Sequence, residues 1–97
     1  MQMLEEQYQK IDGIDQQLAA LFEQRMAVVD EIAQIKFDHQ IGLTNIQREK
    51  AVMDQRMAAV EDSKFEPYIV DLYQTMILIA KQYQVKKMKA LKEQAEA

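Results

Sequence analysis

The sequence predicts an all-α fold, a three-helix chain with a long first helix that pairs with a second copy. Three observations predict it: apolar residues recur at three- and four-residue spacing along most of the chain, only two glycines and one proline occur in 97 residues, and no cysteine is present to staple a loop-rich scaffold. Residues 1–97 read as a single domain, at a length marginal for burying a large core unless the chain associates.

The first helix runs from about Met3 to Phe37. Leu4, Tyr8, Ile11, Leu18, Phe22, Val29 and Ile32 mark one face, and Ile14, Leu21, Val28 and Ile35 widen it. A helix of that length spans about 50 Å, more than a small monomer can cover, so a second chain is expected along it. Gly13 interrupts the pattern at a cost on the order of 1 kcal/mol relative to Ala, a position suited to close passage of another backbone. The period breaks over residues 38–43, where Gly42 offers a permissive turn.

Thr44 or Asn45 can cap a second helix, with Gln47 at capping-box spacing from Thr44, and Ile46, Val52, Met53 and Met57 carry apolar faces to about Val60. Ser63 and Glu66 repeat the capping-box spacing, and Pro67 suits a first helical turn, so a third helix is expected to start there. Ile69, Leu72, Tyr73, Met76, Ile77 and Ala80 form its buried face. Residues 85–97 read as a charged tail, helical or frayed, with Val85, Met88 and Leu91 as a thin stripe.

A net charge of −4 argues against nucleic-acid binding, because phosphate contacts need a surplus of Lys and Arg on one surface. No apolar run approaches the roughly 20 residues of a membrane span, and the N-terminus lacks a basic-then-apolar leader pattern. Without cysteine there is no thiolate metal site, and His39 stands alone in the first loop as a surface residue rather than a ligand. These features suit a soluble cytoplasmic protein with no membrane partner. No Ser–His–Asp order, glycine-rich phosphate loop or paired-carboxylate site is readable, and the seven methionines read as core filling.

The chemistry-bearing feature is a pair of cations, Arg25 and Lys36, on the inward stripe of the first helix. Eleven residues is about three turns, so both emerge from nearly the same face. Taken alone, they read more readily as snorkelling or salt-bridged side chains than as a site for an anion. The order of further polar residues adds weight to the second reading: Asn45, Arg48 and Glu49 open helix two, and Gln84 lies on helix three.

The string Ile11-Asp12-Gly13-Ile14-Asp15, Leu18, Leu21, Arg25-Met26, Val29, Ile32, Lys36, followed after a turn by Arg48-Glu49-Lys50, resembles the all-helical chorismate mutase family from about Leu4 to Gln84. The resemblance implies an intertwined homodimer of three-helix chains, with two sites that each draw on both protomers. It implies the Claisen rearrangement of chorismate to prephenate, on the shikimate route to phenylalanine and tyrosine, without cofactor or metal. That step needs no nucleophile or proton shuttle; it needs a dianion held in its folded, pseudo-diaxial conformer and charge stabilised on the ether oxygen.

By the same resemblance, Arg25 would bind a substrate carboxylate, and Lys36 would bind a carboxylate while donating to the ether oxygen. Gln84 would be the second donor to that oxygen. Glu49 would accept from the ring hydroxyl, Asn45 would contact it through its backbone, Arg48 would support the charge network, and Ala80 would line the wall.

Tyr8 departs from the pattern, standing where the family commonly has an arginine donated into the partner's site. Seventeen residues before Arg25, it is turned about 100° from the cationic face and points toward another chain. Losing such an Arg–carboxylate contact costs about 2–5 kcal/mol, so reduced efficiency is expected, with the tyrosine hydroxyl left to donate one neutral hydrogen bond. Tyr8 reads equally as an aromatic at the dimer seam. Asn45 stands where family members often carry an acid, and Ala80 where some carry a hydroxyl. Two alternatives stay open from sequence: a non-catalytic module on the same scaffold that binds an anion or a protein, and an isochorismate-pyruvate lyase.

Overall fold

A computed structural model describes residues 1–97 as three α-helices and one short 3-10 turn, with no strand. Helix α1 spans Gln2–Asp38, α2 Ile46–Ala58 and α3 Glu66–Glu96, and the 3-10 turn Ser63–Phe65 leads into α3. Helix α1 matches the expected limits to within one residue at each end. The tail over residues 85–97 is helical as far as Glu96.

The local stops differ from the sequence expectation. Gly42 does not take up a left-handed conformation; Gln40 does, at φ 56°. Ile41 N–H then closes on the carbonyl of Lys36 at 2.8 Å, and Gln40 N–H on that of Phe37 at 3.3 Å, the bond pattern of a Schellman cap. Asn45, not Thr44, caps α2: its Oδ1 accepts from Arg48 N–H at 3.0 Å. Neither predicted capping box forms. Ahead of α3, Asp62 caps the 3-10 turn, its side chain accepting from Lys64 N–H at 3.2 Å, and α3 follows from Phe65 with no side-chain cap.

Two stripes divide the work of α1. Phe22, Met26, Val29 and Ala33 recur at four- and three-residue spacing and are partly or fully buried within the chain, where α1 packs on α3. The second stripe, Ile11, Ile14, Leu18, Leu21, Arg25, Val28, Ile32 and Ile35, alternates steps of three and four. Its apolar members all stay exposed, Leu21 at 60%. Arg25 is the one charged residue in it.

Between α1 and α3 the contact is closed by polar clasps. Asp30 accepts from Lys87 Nζ at 2.8 and 2.9 Å and from the Tyr83 hydroxyl. Arg56 of α2 stacks over the Tyr73 ring of α3 at 5.9 Å. Only Val29, Ala33, Ala80 and Gln84 are buried. The radius of gyration is 17.5 Å, against about 13 Å for a compact chain of this length. Gly13 has no atom of its own chain within 4 Å of the place a Cβ would occupy. No helix is long and apolar enough to cross a membrane.

Candidate active site

Three elements meet where α1 ends, α2 begins and α3 passes its midpoint, and they enclose a cavity of about 250 Å³. From α1 come Arg25, Val29, Ile32 and Lys36, spaced to share one face; from the loop and the start of α2 come Leu43, Asn45, Arg48 and Glu49; from α3 come Ala80, Lys81 and Gln84. The fold therefore gathers every expected site residue except Tyr8. Tyr8 lies on the outer half of α1, 56% exposed and away from its own chain's cavity.

Lys36 is the hub. Its Nζ donates to the Leu43 carbonyl at 2.7 Å and to Gln84 Oε1 at 2.9 Å. An ammonium has three protons, so two such bonds fix its direction and leave a third donor. Gln84 is buried at 6% exposure, and its amide nitrogen donates to the Ala80 carbonyl at 3.2 Å, which orients the amide and leaves one N–H unspent.

Arg25 supplies the least satisfied group in the molecule. Its Nη1 is buried with no hydrogen-bond partner in the chain. A buried guanidinium nitrogen without an acceptor costs on the order of 1–3 kcal/mol, which an anionic ligand oxygen would offset. Asn45 spends its side chain on the helix cap, and no bond within the chain uses its backbone N–H.

Glu49 sits in the first turn of α2 and pairs with Lys81 Nζ. Sequence reasoning missed Lys81. The signal was its three-residue spacing from Gln84, which places both on one face of α3. The lining thus carries four cations, Arg25, Lys36, Arg48 and Lys81, and one carboxylate, Glu49, in a chain whose net charge is −4. His39 ends α1 as an exposed residue outside this group.

A concave site with a surplus of fixed cations, a buried amide and no nucleophile–base pair is built to hold and polarise a small polyanion. The family model of chorismate mutase type II matches residues 7–85, more than half of the chain. The chain belongs to that family. Chorismate mutases of this type are isomerases that convert chorismate to prephenate, and that activity is the function of this chain. The matched span ends one residue beyond Gln84 and begins one residue before Tyr8. Comparison with curated proteins and with solved structures returned no match.

Proposed function

We propose that the cavity around Lys36 is the site of chorismate rearrangement and that its residues act by restraint and electrostatics alone. The observation that carries this is the orphaned Nη1 of Arg25, a buried donor in a cavity whose lining also holds Lys36, Arg48 and Lys81 against the single carboxylate of Glu49. In this reading Arg25 holds one substrate carboxylate and Lys36 the other, which locks the folded conformer. As the ether C–O bond breaks and the new C–C bond forms, the third proton of Lys36 and the free N–H of Gln84 stabilise charge on the ether oxygen. Glu49 accepts from the ring hydroxyl, Asn45 donates its backbone N–H to it, Arg48 adds positive potential, and Ala80 forms wall.

The working unit in this proposal is an intertwined homodimer. A folded monomer of this size exposes about 5,800 Å², whereas this chain exposes 8001 Å². The excess is of the order that an obligate interface removes, and the three-four stripe from Ile11 to Ile35 is the apolar surface that supplies it. A partner's α1 along that stripe would bring its own Tyr8 toward this cavity, giving each site residues from both chains. A neutral hydroxyl there in place of a cation implies reduced efficiency. The product's chemistry suits the shikimate route to phenylalanine and tyrosine, and a cysteine-free chain suits a reducing cytoplasm.

Prephenate formation by the wild type and by Arg25→Ala tests this reading, with sedimentation of both proteins. Turnover that falls on the order of 100-fold or more in the variant, from a two-chain particle, supports it. Equal turnover in both, or a monomeric active species, overturns it.

A further inference from the structure

One cation of the cavity has no part in the roles above. Lys81 follows buried Ala80 on α3 and precedes Gln84 by one turn. Its Nζ lies 2.5 Å from Glu49 Oε1, and the two side chains are 33% and 25% exposed. No other ion pair in the chain involves Glu49.

Resting on the chorismate reading of the same cavity, we propose that Lys81 is a positioning residue: it fixes Glu49 across the α2–α3 junction and cancels its charge, so that a dianion meets only free cations. Glu49 faces the cavity from the first turn of α2, beside Arg48 and within the same lining as Arg25 and Lys36. An unpaired carboxylate there would do two things to a dianionic ligand. It would repel it, since like charges interact strongly in a part-shielded cavity, and it would compete with the ligand for the guanidinium groups.

Lys81 removes both effects by occupying Oε1. Arg25, Lys36 and Arg48 are left to face two negative charges, and Glu49 Oε2 is left as the acceptor for the ring hydroxyl. The placement on α3 matters as well. Lys81 and Gln84 share a helix face, so the strut that sets Glu49 moves as one body with the amide that sets Lys36. One rigid element thereby aligns the hydroxyl acceptor with the ether-oxygen donors.

The test is a double-mutant cycle on the full chain, read as kcat and KM for chorismate and as chorismate affinity by isothermal titration. Lys81→Met is expected to raise KM and Kd about tenfold while kcat falls less, and Lys81→Arg to stay within about threefold of wild type. In the Glu49→Gln background, with no charge to cancel, Lys81→Met is expected to cost less than about threefold. A Lys81→Met protein equal to wild type overturns the proposal. So does the same loss in both backgrounds, which would place Lys81 on the ligand or in the fold rather than behind Glu49. A wild type that neither binds nor converts chorismate overturns the chorismate reading together with this one, whereas turnover with an insensitive Lys81 overturns this one alone.

Discussion

Lys36 on α1 and Gln84 on α3, 48 residues apart, meet through a 2.9 Å hydrogen bond from the ammonium to the amide oxygen. The bond uses the end of the amide that cannot donate; of the two N–H groups, one goes to the Ala80 carbonyl and the other is left unspent. Gln84→Ala is expected to lower kcat on the order of 100- to 1,000-fold, with a smaller change in KM, because the proposed mechanism loses one donor to the developing oxyanion and Lys36 loses an anchor. Steady-state kinetics on chorismate checks this. A pure KM effect would assign Gln84 to ground-state binding.

Tyr8→Arg is expected to raise kcat/KM by about tenfold or more, since in the proposed dimer a guanidinium would replace a neutral hydroxyl near a substrate carboxylate. The gain requires a partner chain, because Tyr8 lies outside its own chain's cavity. An unchanged kcat/KM would mean that the N-terminal half of α1 does not reach the partner's site in the proposed register.

Asp30, Tyr83 and Lys87 tie α1 to α3 and give the fold a pH dependence of known sign. The hydrogen bond from Lys87, then that from Tyr83, holds the Asp30 carboxyl below the ordinary value of 3.8, so its contribution is present above that pH and is lost as pH falls through the lowered value. The hydrogen bond with Asp30 raises Tyr83 above 10.0 and Lys87 above 10.5, and their contributions are lost as pH rises through those raised values. Melting temperatures of wild type and Asp30→Asn are expected to differ most between pH 3.8 and 10.0 and to converge at both extremes. A difference independent of pH would rule out the charge contribution.

Gln40 carries the left-handed cap that ends α1. Gln40→Gly removes the clash of Cβ with the following carbonyl, and part of that gain is offset by the freer unfolded chain. A stabilisation of up to about 1 kcal/mol is expected in urea unfolding. Destabilisation would show that the Gln40 side chain contributes something else to the turn.

The long periodic stretches were legible because burial on one face repeats over many turns, and the limits of α1 follow from that repeat alone. The caps were less so. Thr44 and Asn45 are both able to cap, and only the folded backbone shows that Asn45 Oδ1 accepts from Arg48 N–H. Gly42 looked like the turn residue because glycine tolerates positive φ, yet the Schellman bonds to Phe37 and Lys36 put that conformation two residues earlier. Arg25 and Lys36 were readable as co-facial from spacing, whereas their company with Arg48, Glu49 and Gln84 came from the family resemblance. Lys81 stayed hidden among the five lysines of residues 81–92, because Lys81 and Lys87 both lie three residues from Gln84 and only the packing of the helices shows that the first meets Glu49 of α2 and the second Asp30 of α1. The Asp30 clasp, spanning 53 and 57 residues, has no local signature at all.

Conversion of chorismate to prephenate by wild type and Lys36→Ala, measured side by side, tests the central claim most directly. The account requires turnover above the uncatalysed rate in the wild type and a loss on the order of 100-fold or more in the variant, because in the proposed mechanism Lys36 links carboxylate, ether oxygen and Gln84. Equal rates in the two proteins, or a wild type no faster than the uncatalysed reaction, would contradict it.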